Sequence, residues 1–316
     1  MKVGVIGAGY WGKKHVDEYT QLGHKVVVSD LRNENLEFCK LNFGAEIVSD
    51  YNDILNDDEI NYVSICVPNS LHYKIALEAF HKNKNVLLEK PIALNSRDAN
   101  EIIERSKEKN LVLLIGHIFR FNQAIETIKQ LLKEQRLGKI HTVNFSWTNF
   151  EPLFPDRDIL FDLGVHPIDI LYDIFGANPS DIFCVGRGFR QKKPEFAVIN
   201  YHIEEPNFNN DIFVNIQLSW LNPIRERRMV IVGSEKTAII ECVMQKIHLI
   251  NNVSLVQEDV SVLPNNTIRD ELEYFTTNSK KESVDDSKPN GDVGKRVVEV
   301  IEAAYRSLDN KEISQI

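Results

Sequence analysis

Lys2-Val3-Gly4-Val5-Ile6-Gly7-Ala8-Gly9-Tyr10-Trp11-Gly12 is an apolar strand that runs straight into G-x-G-x-x-G. Each glycine has its own duty in such a motif. Gly7 allows the tight turn, Gly9 lets the backbone approach a pyrophosphate, and Gly12 lets the following helix pack close to the strand. The helix N-terminus adds backbone N–H donors and the positive end of a dipole. Lys13–Leu22 reads as that helix, Gly23 stops it, and Lys25–Ser29 is the next strand. Asp30 closes this strand, where an acid meets the adenosine ribose hydroxyls and repels a 2′-phosphate. A complete βαβ dinucleotide site is therefore expected, with NAD favoured. Arg32, which can stack on adenine or accept a phosphate, keeps NADP possible. Tyr10 and Trp11 are expected to cover the pyrophosphate, although Trp11 equally suits packing of the helix on the sheet.

Outward from this unit the alternation of strand and helix continues. Leu36–Phe43 reads as a helix, Glu46–Val48 as a strand and Asp50–Leu55 as a helical turn. Asn61–Val67 is a strand that ends in Pro68-Asn69-Ser70-Leu71-His72. In a parallel α/β sheet, ligands lie just beyond the carboxyl ends of the strands. Pro68, Asn69 and His72 are therefore expected beside the nicotinamide half. Asn85–Leu88, after the helix Leu71–Phe80, is a short buried strand that ends abruptly in Glu89-Lys90-Pro91. Lys90 at such an end can face both a cofactor and what lies on top of it, and Glu89 is placed with it. Taken alone, the tripeptide reads rather as a solvated strand end. Ser96–Lys109 and Leu111–Gly116 complete a first domain, residues 1–118.

Residues 119–316 read differently. A helix at Gln123–Gln135 gives way to period-two patterns at His141–Asn149 and Ile212–Trp220, and to a hairpin formed by Arg228–Val232 and Thr237–Glu241. The charged stretch 278–290 reads as a surface loop before a final helix, Val293–Leu308. The fold class expected is α/β: a Rossmann dinucleotide domain followed by an α+β domain.

Composition narrows the function classes. The 316 residues are 43% apolar and 26% charged, as in ordinary globular proteins. A net charge of −9 argues against nucleic acid or an anionic membrane as the main partner. No apolar run approaches the roughly 20 residues of a membrane span. Val3–Ile6 is too short for a secretory leader, so a cytoplasmic protein is expected. The four cysteines, Cys39, Cys66, Cys184 and Cys242, lie far apart with no metal spacing, and no metal site is expected.

Five motifs in order carry a family resemblance: Gly7–Gly12, Val67–His72, Glu89-Lys90-Pro91, Gly116-His117-Ile118-Phe119-Arg120-Phe121-Asn122, and Asp162-Leu163-Gly164-Val165-His166-Pro167-Ile168-Asp169. The chain resembles the glucose–fructose oxidoreductase / inositol dehydrogenase / rhizopine catabolism protein (Gfo/Idh/MocA) family of NAD(P)-dependent oxidoreductases. The resemblance implies a second domain built on an open mixed, mainly antiparallel sheet. It implies a cis Lys90–Pro91 bond and a homodimer or homotetramer formed through the C-terminal sheet. It also implies that Lys90, Asp162 and His166 bind substrate and move the proton.

The residues suit those roles. Hydride transfer from an alcohol needs a base for the hydroxyl proton, and histidine serves near neutral pH. Asp162 and His166, four apart, would share one helix face. In isolation the pair also reads as a helix cap with a satisfied histidine. Lys90 would stabilise the oxygen that becomes the carbonyl. Asn122 and Arg120 are further substrate candidates, Arg120 equally suiting a structural ion pair. Arg157, Arg187, Arg190, Lys192, Lys193, Arg225, Arg227 and Arg228 lie on expected turns, where they either receive a diphosphate or are solvated hairpin ends. The family handles sugars and sugar nucleotides, and the Phe119–Asn122 helix entry resembles members that act on C3 of UDP-N-acetylhexosamines. A free aldose or inositol is the alternative substrate. A non-catalytic NAD(P)/sugar sensor is the alternative class.

Overall fold

A computed structural model describes residues 1–153, 158–177, 179–205, 210–278 and 288–316. They form two compact units, one of residues 1–118 with 266–298, the other of 119–265 with 299–316.

The first unit begins β1 (Lys2–Ile6), α1 (Tyr10–Gln21), β2 (Lys25–Ser29), α2 (Asn33–Phe43), β3 (Glu46–Val48) and α3 (Tyr51–Leu55). It continues with β4 (Ile60–Ile65), α4 (His72–His81), β5 (Asn85–Leu88), α5 (Ser96–Glu108) and β6 (Leu113–Ile115). The six strands are parallel, in the order β3-β2-β1-β4-β5-β6. Chain direction across the sheet reverses between β1 and β4, which opens the crevice where doubly wound sheets hold nucleotides. A parallel sheet is covered on both faces, so its strands are apolar without alternation. Val3, Val5, Val26, Val28, Leu87 and Leu114 accordingly share one buried core.

The second unit contains α6 (Gln123–Lys133), β7 (Ile140–Phe150), α7 (Val165–Phe175), β8 (Asp181–Arg187), β9 (Phe196–Glu205), β10 (Asn210–Ser219), β11 (Leu221–Gly233), β12 (Lys236–Glu241), β13 (Lys246–Asn251) and β14 (Gln257–Val260). The chain then runs through α8 (Thr267–Asn278) and α9 (Gly291–Asn310) to β15 (Ser314–Gln315). The sheet of this unit has nine strands, ordered β14-β13-β12-β11-β7-β10-β9-β8-β15. Only the β7–β10 pair is parallel among the described residues, which makes the sheet mixed and mainly antiparallel. Alternation sorts its faces: Val143, Phe145 and Trp147 of β7 and Val214, Ile216 and Leu218 of β10 are buried. On the other face Phe183, Val185 and Phe213 are exposed.

The structure departs from a single boundary at residue 118. Residues 266–298 return to the first unit. Leu272 and Phe275 of α8 enter the nucleotide-domain core, and Phe275 packs edge-on against Tyr62 at 5.5 Å. Arg269 and Asn266 both bond Glu18 of α1, at 2.9 and 2.6 Å. The apolar stripe Ile268, Leu272, Phe275 is what sends this helix back. The expected loop at 278–290 falls mostly outside the described residues.

Candidate active site

The three glycines of the first loop meet three different constraints. Gly7 has φ +93°, and a Cβ there would lie 2.5 Å from the Cys66 carbonyl. A Cβ on Gly12 would lie 1.9 Å from the Gly7 carbonyl, so close packing of α1 on β1 forbids any side chain. Nothing lies within 4 Å of where a Gly9 Cβ would stand. That position leaves open space above the backbone, at the start of a helix that no side chain caps and whose first turn carries no acid. Open room, backbone donors and a positive dipole end fit a dinucleotide pyrophosphate.

Asp30 is set at the end of β2 as the fingerprint requires, and it is already engaged. Its carboxylate accepts from the Ala8 amide at 2.7 Å, from the Arg32 amide at 2.8 Å and from Asn35 at 3.1 Å. The same acid therefore braces the glycine loop. Arg32 is exposed, with Nε 3.7 Å from Asp30. Tyr10 is exposed and meets Trp11 edge-on at 5.5 Å, while the Lys14 ammonium lies over both rings. Pro68 is exposed, and Asn69 begins a short 3-10 turn.

Lys90 is half-buried, and its bond to Pro91 is cis. Two expected cofactor contacts behave otherwise. Glu89 is buried and accepts from His15 Nε2 at 3.1 Å and weakly from the Lys90 amide at 3.3 Å. His72 is buried, its ring nitrogens 2.7 Å from the Pro91 carbonyl and 3.0 Å from the Val67 carbonyl. Burial lowers its pKa, against the opposing pull of the two carbonyls. Motif position fixed where these residues stand on the chain, whereas packing turned both side chains inward. They shape the Lys90 turn instead of lining an open cleft. His15, Cys66 and Glu89 also cluster tightly enough to suggest a metal site. Yet His15 presents opposite ring nitrogens to its two neighbours, which is a hydrogen-bonding arrangement.

In the second unit, Asp162 sits in a π-helical turn, Leu160–Gly164, directly before α7. The wider turn, bonded i to i+5, gives less rotation per residue than the regular helix assumed for the Asp162–His166 spacing. From Ile159 through Leu171, Asp162 and His166 are the two residues that are not fully buried. The His166 ring lies 5.7 Å from Trp147 and 5.4 Å from Phe119. Arg227 lies over the other partner, 5.2 Å from the Trp147 ring. Burial, with Arg225 adding to it, pushes the Arg227 pKa down to about 10, while Asp162 acts in the opposite sense. Arg227 donates to the Thr148 and Glu226 carbonyls and to Asn149, each at 2.7 Å. Phe119, Trp147 and Arg227 thus surround the Asp162–His166 pair. Sequence reasoning left the two aromatics out, because only the alternation of β7 hints at where Trp147 points.

Arg120 and Asn122 serve the fold. The Arg120 guanidinium, 2% exposed, bonds Asp169 at 2.7 Å and Asp173 at 3.3 Å. Burial raises the Asp173 pKa, and Arg120 and Lys129 oppose it. Asn122 caps α6, accepting from the Ala124 and Ile125 amides and donating to the Cys242 carbonyl. Such a cap contributes about 1 kcal/mol. Of the arginines expected on turns, Arg225, Arg227 and Arg228 lie within β11 instead, and Arg190 bonds the buried Glu195 and the Glu151 carbonyl. Arg157 lies outside the described residues.

Residues 1–117 match the model of an oxidoreductase family with an NAD-binding Rossmann fold, and 125–239 match the GFO/IDH/MocA C-terminal domain. An uncharacterized oxidoreductase of Streptococcus pneumoniae is 27% identical over 69% of this chain and 60% of its own length. The UDP-N-acetylglucosamine 3-dehydrogenase of Acidithiobacillus ferrooxidans is 27% identical over 79% of this chain and 76% of its own. Its solved structure superimposes with a TM-score of 0.84, covering 98% of both chains. Myo-inositol 2-dehydrogenase of Thermotoga maritima is 26% identical over 59% of this chain and 58% of the relative. The glycine loop, the Lys90 turn and the Asp162–His166 turn thus stand in a chain that belongs to the Gfo/Idh/MocA oxidoreductase family.

Proposed function

We propose that this chain is an NAD(P)-dependent dehydrogenase that acts on a CH–OH group of a sugar or sugar nucleotide. The substrate favoured is the C3 hydroxyl of a UDP-N-acetylhexosamine. The observation that carries the reading is the pairing of Asp162 and His166 as the accessible polar groups in an otherwise buried run. Similarity along 98% of both chains to a UDP-N-acetylglucosamine 3-dehydrogenase supports the substrate. The nicotinamide cofactor, when bound, supplies the two-electron acceptor. The glycine loop binds its pyrophosphate, and Asp30 its ribose hydroxyls.

His166 takes the substrate hydroxyl proton. Its ring is held between Phe119 and Trp147, which limits its rotation and shields it from water. Asp162 orients the substrate hydroxyls and favours the protonated imidazole that forms. Lys90 stabilises the oxygen as it becomes a carbonyl. A free inositol is the second reading, favoured by the similarity to a myo-inositol 2-dehydrogenase. The exposed apolar face bearing Phe183, Val185 and Phe213 is assigned to pairing with a second copy of the chain, which light scattering would register as a dimer or tetramer. The substrate is tested by incubating the protein and NAD with UDP-N-acetylglucosamine, glucose or myo-inositol and identifying the product by carbon NMR. A 3-keto sugar nucleotide is expected. Oxidation of myo-inositol alone would replace the first reading by the second.

A further inference from the structure

His15 belongs to no motif of the cofactor site, yet it is fully buried on α1, three residues beyond Gly12. Its Nε2 lies 3.1 Å from Glu89 Oε1, and its Nδ1 lies 3.6 Å from Cys66 Sγ. Glu89 Oε2 in turn accepts the Lys90 amide at 3.3 Å. A side chain at position 116 would crowd this carboxylate, since a Cβ there would lie 3.0 Å from Oε2. Glycine at 116 is thus what makes room for it.

The hydrogen-bond directions are determined by chemistry. Burial, reinforced by Glu89 and Glu271, pushes the Cys66 thiol well above its ordinary range, so at neutral pH it is an S–H donor. A Glu89 carboxylate only accepts, so Nε2 carries the ring proton toward it, and a neutral ring leaves Nδ1 bare to accept the Cys66 S–H. Glu89 then accepts from both sides: Cys66 S–H donates to His15 Nδ1 and His15 Nε2–H to Glu89 Oε1, while the Lys90 amide donates to Glu89 Oε2. Other groups that face this arrangement are Tyr19 of α1, bonded to Ser64 at 2.9 Å, Glu271 of α8, and His72 of α4, which feels the charges of both Glu89 and Lys90.

We propose that His15 is a positioning residue for Lys90: it ties the helix that receives the cofactor to the turn that carries the lysine, fixing the Glu89 carboxylate and through it the Lys90 backbone. The inference rests on Lys90 acting in catalysis. His15 touches neither cofactor nor substrate, so its loss is felt in the chemical step and not in cofactor binding. A misplacement of about 1 Å at a reacting group costs roughly 10²-fold in rate.

Two measurements on the full-length protein test this. In the NAD-bound protein at neutral pH, nitrogen-15 histidine NMR should show His15 with its proton on Nε2. A proton on Nδ1 would overturn the arrangement. In kinetics with UDP-N-acetylglucosamine, glucose and myo-inositol as probes, His15→Ala should lower kcat at least tenfold while NAD affinity changes less than threefold. His15→Gln, whose amide can donate to Glu89, should recover most of the loss. Equal losses in both variants, or a parallel loss of NAD affinity, would reduce His15 to a packing residue and overturn the proposal. Lys90→Ala, run alongside, separates the premises. If it retains full turnover, the lysine reading falls and this inference falls with it. If it is inactive while His15→Ala is not impaired, only the inference falls.

Discussion

The glycine loop and the Asp162–His166 turn are constructed in opposite ways. The loop works by leaving side chains out: Gly12 has no room for a methyl group, Gly7 has the wrong backbone angle for one, and Gly9 keeps an open approach. The turn works through side chains, and it depends on a buried surround that holds them: Phe119, Trp147 and Arg227. A site made of backbone is defined by local sequence. A site made of side chains is defined by whatever distant strands bring beside it.

The contrast can be broken at several points, beginning with the side-chain site. His166→Ala should lower turnover by about 10²–10⁴-fold and remove the near-neutral limb of the pH–rate profile. If that limb persists, another residue moves the proton. Lys90→Ala should cost about 10²–10³-fold in kcat, the scale of losing a donor to a developing oxyanion, with NAD affinity within a few-fold. Unchanged turnover would end its catalytic assignment. Arg120→Ala leaves Asp169 and Asp173 without their buried cation, and should destabilise the fold by about 3–5 kcal/mol in thermal melts. A raised KM with an unchanged Tm would instead make Arg120 a substrate contact.

Smaller effects sharpen the backbone side. Gly12→Ala should lower stability by about 1–3 kcal/mol through overpacking, since its Cβ would lie 1.9 Å from a carbonyl oxygen. Gly9→Ala should leave Tm unaltered and weaken NAD binding alone. Unchanged NAD affinity in Gly9→Ala would show that the open space at Gly9 has no bearing on the cofactor. Asp30→Ala should weaken NAD and narrow its preference over NADP. An unaltered ratio would show that the ribose acid lies elsewhere.

The same contrast explains what could be read in the sequence. β1, α1 and β2 follow from apolar runs and glycines that act within a few residues, and the parallel order of the first sheet follows from their alternation with helices. His72 and Glu89 illustrate the limit. Both stand where the motifs put them, yet both point into the interior, and no spacing rule reports the direction of a side chain at a strand end. Arg120 and Asn122 were open to a ligand role until Asp169, Asp173 and the α6 amides came beside them, the aspartates from about fifty residues away. A single boundary at residue 118 passed over α8, whose stripe Ile268, Leu272, Phe275 marks an apolar face but not its destination in the first core. The π-helical turn at Asp162 has no sequence signature in this chain.

What separates an enzyme from a sensor here is whether the chain turns substrate over or only holds it. The most direct measurement is the amount of reduced cofactor formed per cofactor site when the protein is incubated with excess NAD and UDP-N-acetylglucosamine, with glucose and myo-inositol in parallel. Many reduced cofactors per site with at least one of these sugars, and none in the His166→Ala variant, is the result expected. Tight NAD binding with no reduction by any of them would contradict it, and would make the protein a sensor of the ligands that it binds.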